Sequence, residues 1–204
     1  MTLIYPDLFW GVLSFLGGAN VTIALASALT ICLFSSGDQR LAKYWIVLFG
    51  LTMLIVGATK LAFIGWGLGV ESFDFTGISG HAARATAVYP VLSYMLLKHR
   101  KPALQNAAIV AAFILSIGVA GARIFWKAHS LSEVTSGFFL GAIAAVTYFQ
   151  LNGSGRLLSL RYRFTWVSCA IAIAVCLPTA PTQDWIVKAG LVLSGRDHAY
   201  TRYP

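Results

Sequence analysis

Residues 104–122 read LQNAAIVAAFILSIGVAGA, nineteen consecutive positions without an ionisable side chain. An α-helix rises about 1.5 Å per residue, so about 20 apolar residues cross the roughly 30 Å hydrocarbon core of a bilayer. The stretch is therefore predicted to cross a membrane as a helix.

Similar apolar runs lie on both sides of this stretch, at approximately 11–34, 44–68, 81–97, 133–151 and 164–180. Two of them, 81–97 and 164–180, are short by themselves, but polar atoms within a helical bundle can face its interior. Loops with turn residues separate the runs, among them Ser35-Ser36-Gly37-Asp38, Arg100-Lys101-Pro102 and Asn152-Gly153-Ser154-Gly155. The sequence thus predicts an all-α fold, an integral membrane bundle of about six transmembrane helices in a single membrane domain over residues 1–204.

The composition of the whole chain agrees with a membrane location. Of its 204 residues, 58% are hydrophobic and 11% are charged, whereas soluble domains carry about 25% charged residues. A chain with so few charges cannot cover a globule of this size with ionised groups, which excludes an ordinary water-soluble domain. The high apolar content also excludes intrinsic disorder.

The net charge of +8 comes from Lys and Arg residues that cluster between the apolar runs. The clusters are Arg40 and Lys43; Lys98, Arg100 and Lys101; and Arg156, Arg161 and Arg163. Short basic loops of this kind face the cytoplasm under the positive-inside rule. The connections at 69–80 and 123–132 alternate with them, so we expect these connections and both termini on the non-cytoplasmic side. This distribution argues against nucleic acid as a partner.

Ionisable side chains are costly at membrane depth, so those within the runs or at their ends are functional candidates. They are Lys60, His81, Arg84, Arg123, His129 and Glu133. All of them fall toward the predicted non-cytoplasmic face. Histidines, cations and a carboxylate gathered at one depth suit an anion with several charged oxygens, such as a phosphate.

The spacing of these residues indicates their chemistry. His129 and Glu133 are four residues apart and share one face of a helix, so the carboxylate can accept a hydrogen bond from one ring nitrogen. The other ring nitrogen is then the better nucleophile. Thr76-Gly77-Ile78-Ser79-Gly80 precedes His81, and small residues at a helix start leave backbone N–H groups available for phosphate oxygens.

Two segments carry a resemblance to a known family, namely Ser79-Gly80-His81-Ala82 and Arg123-x5-His129-x3-Glu133. They resemble motifs two and three of the type 2 phosphatidic acid phosphatase superfamily, which read Pro-Ser-Gly-His and Ser-Arg-x5-His-x3-Asp. Their order along the chain and the predicted membrane topology are similar to those of the family as well.

The resemblance implies a role for each matching residue. His129 is expected to be the nucleophile that forms a phosphohistidine, with Glu133 as its carboxylate partner, and His81 the acid that protonates the leaving oxygen. The phosphoryl group is expected to be held by Lys60, Arg123 and the backbone of Ser79 and Gly80. The resemblance implies no metal and no cofactor.

The sequence departs from the family pattern at several positions. Motif one of the family reads Lys-x6-Arg-Pro, whereas Lys60 is followed at that distance by Gly67-Leu68. We expect Arg84, one helical turn from His81, to replace the missing arginine. The other departures are Ile78 for Pro, Ala122 for Ser, and Glu133 for Asp, which places the carboxylate one methylene further from the backbone.

Some of these residues also have simpler interpretations. Lys60 can extend its ammonium group to the membrane interface without touching a substrate. Arg84 can serve as an interfacial anchor. His129 with Glu133 can be a structural pair on one helix face.

The sequence therefore predicts an integral-membrane, metal-independent phosphatase that hydrolyses a lipid phosphate or diphosphate through a phosphohistidine. Its expected location is the bacterial inner membrane, with the active site facing the periplasm or exterior. Candidate substrates are undecaprenyl diphosphate, phosphatidylglycerol phosphate, phosphatidic acid and lipid A phosphate, and the sequence does not choose among them. Two alternatives are a lipid phosphotransferase with the same intermediate and a catalytically degenerate lipid-binding or transport protein. The expected partners are the lipid substrate and the bilayer, and the oligomeric state stays open.

Overall fold

The computed structural model describes residues 4–151, 159–177 and 181–202. Over these ranges the chain forms α-helices and one 3-10 turn, and it contains no β-strand. The helices are α1 Ile4–Leu16, α2 Ala19–Ser35, α3 Gln39–Trp66, α4 Gly80–Leu97, α5 Pro102–Phe125, α6 Leu131–Leu151, α7 Leu160–Cys176 and α8 Thr182–Ser194. The prediction of an all-α fold is confirmed.

Each predicted apolar run coincides with a helix or a pair of helices. The helix pair α1–α2 and helices α3, α5 and α6 are long and apolar enough to cross a membrane, and the protein is an integral membrane protein. The two runs that are short in the sequence correspond to α4, with 18 residues, and α7, with 17 residues. The predicted loop at 152–155, Arg156 and the end of the last run at 178–180 lie outside the described residues.

The first predicted run is divided between two helices. α1 ends at Leu16 and α2 begins at Ala19, with Gly17 and Gly18 between them. A Cβ atom at Gly17 would lie 2.3 Å from Cγ1 of Val119, so the chain approaches α5 too closely for any side chain. The two glycines therefore allow the break and bring this part of the chain against the bundle.

Helix α4 lies at the centre of the bundle, which explains why it is less apolar than its neighbours. It packs against α2, α3, α5 and α6, and nearly all of its length is buried. Its buried side chains are mostly small, including Ala82, Ala83, Ala85 and Ala87. A helix surrounded by other helices needs no broad apolar surface for lipid, and small residues let its neighbours approach closely.

The closest helix contact joins α4 to α6 through two glycines of α6. A Cβ atom at Gly137 would lie 2.6 Å from the carbonyl oxygen of Ser79, and one at Gly141 would lie 2.4 Å from that of Ala83. Both distances are far below van der Waals contact with backbone atoms that cannot move aside. The glycines therefore hold the first turns of α4 and α6 side by side, which is where His81 and Glu133 lie.

The opposite end of α4 is tied to α7. Nη1 of Arg163 donates hydrogen bonds to the carbonyl oxygens of Met95 and Leu96. These carbonyls belong to the last turn of α4, where helical partners are missing. Arg163 thus satisfies part of the C-terminal end of the central helix and positions α7 beside it.

We expect Gly141→Ala to destabilise the protein, because the added methyl group collides with the backbone of α4. Such overpacking typically costs about 1–3 kcal/mol. Gly50→Ala is the matched control, since a Cβ atom at this position of α3 would have nothing within 4 Å. Thermal unfolding of the purified protein in detergent should show a lower Tm for Gly141→Ala only. Equal Tm values for the two variants would contradict the close α4–α6 packing.

Candidate active site

A polar cavity of about 630 Å³ opens at the end of the bundle where α3 and α5 finish and α4 and α6 begin. It is lined by six of the residues singled out in the sequence: Lys60, Gly80, His81, Arg84, Arg123 and His129. Residues of α8 and the chain after it, including Gln183 and Arg202, form another wall. The cavity therefore collects candidates that lie up to 69 positions apart in the sequence, from Lys60 to His129.

His129 is held through both its ring and its backbone. Its Nδ1 atom lies 2.5 Å from Oε2 of Glu133. The loop after α5 folds back, so that the amides of Ala128 and His129 donate to the carbonyl of Arg123 at 3.0 and 3.2 Å. Because Nδ1 is engaged by the carboxylate, Nε2 is the nitrogen of this cavity-lining ring that remains for chemistry.

The carboxylate of Glu133 is fully buried and accepts hydrogen bonds from several parts of the chain. Oε1 accepts from the amide and hydroxyl of Thr76, at 2.7 and 2.5 Å, and from Nη2 of Arg202 at 2.5 Å. Oε2 accepts from the amide of Ser130 at 3.2 Å in addition to its contact with His129. A buried carboxylate needs such donors, and here they also fix the orientation of the group that holds His129.

Arg202 was not among the residues predicted from the sequence. It lies 69 positions beyond Glu133, in the segment that follows α8. Its Nε atom forms an ion pair with Oδ1 of Asp74 at 3.2 Å, while Nη2 reaches Glu133. No local spacing or motif connects these positions, so only the folded chain reveals the contact.

Arg84 lines the same cavity as His81. Its guanidinium group rests over the first turn of α4, where a Cβ atom at Gly80 would lie 2.9 Å from Nη1. Its Nε atom donates to Oγ1 of Thr22 at 3.1 Å. The lack of a side chain at Gly80 lets the guanidinium group lie this close to the start of α4.

The two other predicted cations each have one neutral partner. Nη1 of Arg123 donates to Oγ of Ser14 at 2.8 Å, and Nζ of Lys60 donates to Oε1 of Gln183 at 3.1 Å. Nε of Arg123 is buried and has no hydrogen-bond partner among the described residues. Neither cation is neutralised by a carboxylate contact within the described chain, so both can attract an anion into the cavity.

Ser79 and Gly80, whose backbone is predicted to bind the phosphate, lie in different environments. The amide of Ser79 donates to the backbone carbonyl of Glu133 at 3.1 Å, and Ser79 is fully buried outside the cavity lining. Gly80 is the first residue of α4 and lines the cavity. Amides of the first helical turn have no intrahelical acceptor, so the start of α4 presents donors beside His81.

The position that corresponds to the motif-one arginine has a different use in this protein. Gly67 follows α3 in a left-handed conformation with φ of 70°, and its amide bonds to the carbonyl of Phe63. A Cβ atom there would lie 2.9 Å from Cε1 of Tyr200. The aromatic ring therefore occupies the space that a side chain at this position would need.

His129 lies in the loop between α5 and α6, and burial lowers its pKa below the usual 6.5. The charges of Lys60 and Arg123 lower the pKa further, whereas the hydrogen bond and charge of Glu133 raise it. The burial effect dominates, so the imidazole is neutral at neutral pH. A neutral ring with Nδ1 engaged is the form in which Nε2 can act as a nucleophile.

The comparison with known families agrees with this geometry. The family model of the PAP2 superfamily matches residues 65–154, which include His81, Arg123, His129 and Glu133. This chain belongs to the PAP2 superfamily. The resemblance identified from the two motifs is therefore confirmed, and the family is one of lipid phosphatases.

Two curated relatives of this PAP2 protein are informative. An uncharacterized 22.5 kDa protein in the cps region of Klebsiella pneumoniae is 34% identical over 199 residues, covering 95% of each chain. Phosphatidylglycerophosphatase B of Bacillus subtilis (strain 168) is 32% identical over 77 residues, which are 36% of this chain and 37% of that protein. No solved structure matches the chain.

The described residues contain no group of three or more His, Cys, Asp or Glu side chains arranged to hold a metal ion. The two histidines of the cavity have Lys60, Arg84 and Arg123 around them. Such a set of side chains suits the binding of an anion and the transfer of a proton.

We expect the acidic limb of the pH profile of kcat/KM to lie below pH 6.5, because a proton on Nε2 of His129 would block any nucleophilic attack by this nitrogen. Lys60→Met should move this limb to higher pH, since it removes a charge that lowers the His129 pKa. Lys43→Met, at the other end of the same helix, should leave the limb in place. Phosphate release measured across pH tests both shifts, and a limb that moved to lower pH in Lys60→Met would contradict the assignment.

Proposed function

We propose that this protein is a metal-independent phosphatase that hydrolyses a lipid phosphate or diphosphate through a phosphohistidine at His129. The observation that carries the proposal is the contact between Nδ1 of His129 and the buried carboxylate of Glu133. It leaves one ring nitrogen for attack, in a cavity that is also lined by His81 and by the cations Lys60, Arg84 and Arg123. Membership of the PAP2 superfamily supports the same chemistry.

In the first step, Nε2 of His129 attacks the phosphorus atom. The N–P bond forms as the P–O bond to the lipid breaks, and His81 donates a proton to the leaving oxygen. The negative charge of the bound phosphate offsets the charges of Lys60, Arg84 and Arg123 and stabilises a protonated His81 ring, which takes up its proton from solvent as the substrate binds.

In the second step, water attacks the phosphohistidine and the N–P bond breaks. His81, neutral after the first step, accepts a proton from the water as the N–P bond breaks. When inorganic phosphate leaves, His81 releases this proton to solvent, and the enzyme returns to its starting state. The charge that develops on the equatorial oxygens of the phosphoryl group meets fixed donors from Arg123, Lys60 and the start of α4.

The orientation of the bundle favours a site on the non-cytoplasmic face. The basic residues at the start of α3 and between α4 and α5 lie at the end of the bundle away from the cavity, and basic ends of this kind face the cytoplasm. In a bacterial inner membrane the cavity then faces the periplasm. A headgroup at the interface reaches it while the lipid tails stay in the bilayer.

The relative from Bacillus subtilis carries the name phosphatidylglycerophosphatase B, which places phosphatidylglycerol phosphate first among the substrates to test. Undecaprenyl diphosphate, phosphatidic acid and lipid A phosphate complete the panel. Transfer of labelled phosphate to a second lipid, instead of its release, would indicate a phosphotransferase that uses the same intermediate.

We expect His129→Ala to abolish phosphate release from the preferred lipid, because the variant cannot form the phosphoenzyme. Loss of a nucleophile of this kind lowers kcat by about 10³-fold or more. His99→Asn is the matched control, since His99 lies in the loop between α4 and α5, outside the cavity lining. The measurement is inorganic phosphate released by detergent-purified protein over the lipid panel. Unchanged release by His129→Ala would rule out the assigned nucleophile.

Removal of divalent metals should leave the activity unchanged, because the proposed reaction uses histidines and fixed cations alone. The test compares kcat before and after dialysis against EDTA, with an independent zinc- or magnesium-dependent phosphatase as the positive control for chelation. An activity lost to EDTA and restored by a divalent cation would refute the metal-independent mechanism.

A further inference from the structure

The C-terminal segment, residues 182–202, lies against the candidate active site although it is outside the part of the chain that matches the family model. It comprises α8 and the turn that follows it. α8 packs on α3, and its Gln183 side chain accepts the hydrogen bond of Lys60. The segment therefore belongs to the wall of the cavity.

The segment is fastened to the last turns of α3 by close backbone contacts. A Cβ atom at Gly65 would lie 3.1 Å from the carbonyl oxygen of Gly190, so the two helices touch through glycines. Further along, the amide of Tyr200 donates to the carbonyl of Ile64 at 3.0 Å. The ring of Tyr200 packs on Gly67, as described above. These contacts determine where the following residues lie.

Arg196 stabilises the turn that carries Tyr200. Its guanidinium carbon lies 4.3 Å from the centre of the Tyr200 ring, and its Nη1 atom donates to the phenolic oxygen at 3.0 Å. Two residues after Tyr200, the chain places Arg202 beside Glu133. The position of the Tyr200 ring thus determines where Arg202 lies.

Arg202 connects the carboxylate partner of the nucleophile to the loop between α3 and α4. Nη2 contacts Oε1 of Glu133 at 2.5 Å and Oγ1 of Thr76 at 3.3 Å, while Nε contacts Oδ1 of Asp74 at 3.2 Å. A guanidinium group is planar and always charged, so it favours the ionised carboxylate and restricts its orientation at the same time.

We propose that Arg202 is a positioning residue of the phosphatase site: it holds Glu133 ionised and oriented, and through Glu133 it holds His129. The inference rests on the proposed function, since it assigns Arg202 to the same reaction. It also explains Gly67. A side chain at Gly67 would displace Tyr200. The absence of the motif-one cation and the position of Arg202 beside Glu133 are therefore both consequences of the packing of Tyr200 on Gly67.

The first test compares Arg202→Ala, Arg202→Gln and Arg202→Lys with the wild-type protein. Loss of an outer partner of this kind lowers activity by about 10- to 100-fold, and we expect the loss in kcat with KM little changed. Arg202→Lys should retain part of the activity, because lysine keeps the positive charge but lacks the planar guanidinium group with its several N–H donors. Lys188→Ala, which removes an exposed cation of α8 that does not line the cavity, is the matched control and should leave kcat and KM unchanged.

The second test is a double-mutant cycle between Arg202→Ala and Glu133→Gln. If Arg202 acts through Glu133, the double variant should have about the same kcat as Glu133→Gln alone. Losses that multiply would overturn the inference. A raised KM with unchanged kcat in Arg202→Ala would also overturn it, since this result means that the arginine binds substrate directly.

Failure of this inference can be distinguished from failure of the proposed function. If the wild-type protein releases phosphate, His129→Ala does not, and Arg202→Ala and Arg202→Gln retain wild-type kcat, only the role of Arg202 is wrong. If neither the wild-type protein nor any variant releases phosphate, the proposed function fails and the inference fails with it. Thermal unfolding of each variant identifies folded protein, and Arg202→Lys provides the kcat comparison if the other two variants do not fold.

Discussion

The structure of the end of the bundle at which the cavity opens depends on one constraint, the complete burial of the Glu133 carboxylate. An ionised carboxylate without water must find its hydrogen-bond donors within the protein. Its hydrogen-bond partners come from the α3–α4 loop, from the residue before α6, from His129 and from the C-terminal segment. Segments distant in sequence therefore all contact the Glu133 carboxylate, and together they determine the orientation of His129.

The central helix makes this convergence possible. The buried side chains of α4 are mostly small, and Gly137 and Gly141 of α6 have no side chain that would keep the two helices apart. In lipid the hydrophobic effect does not drive helices together, so van der Waals packing between small residues takes its place. The same contact places the start of α4, with its free amides and His81, beside the start of α6. Fold and site thus depend on the same surfaces.

Among the described residues, the Lys and Arg side chains that line the cavity are accompanied by no Asp or Glu in its lining. Lys60, Arg84 and Arg123 lie around His81, and their partners within the described residues are neutral oxygens of Gln183, Thr22, Gly17 and Ser14. Like charges in a partly buried site repel one another, and a phosphate group relieves this repulsion. The carboxylate of Glu133 contacts His129 and Arg202, and among the described residues it makes no hydrogen bond or ion pair with Lys60, Arg84 or Arg123.

The sequence by itself determined the helices and the contact of His129 with Glu133. Long apolar runs specify membrane helices because lipid leaves the backbone no other partners. The spacing of four residues predicted the contact of His129 with Glu133, but His129 lies in the loop before α6, so the fold of this loop and not a shared helix face brings its ring to the carboxylate. The gathering of Lys60, His81, Arg84 and Arg123 at one end follows from alternating helix directions. Only the tertiary structure decided the break between α1 and α2, the hydrogen bond from the Ser79 amide to the backbone carbonyl of Glu133, and the contact of Arg202 with the Glu133 carboxylate. These features arise from contacts between segments far apart in the chain, for which local periodicity carries no information.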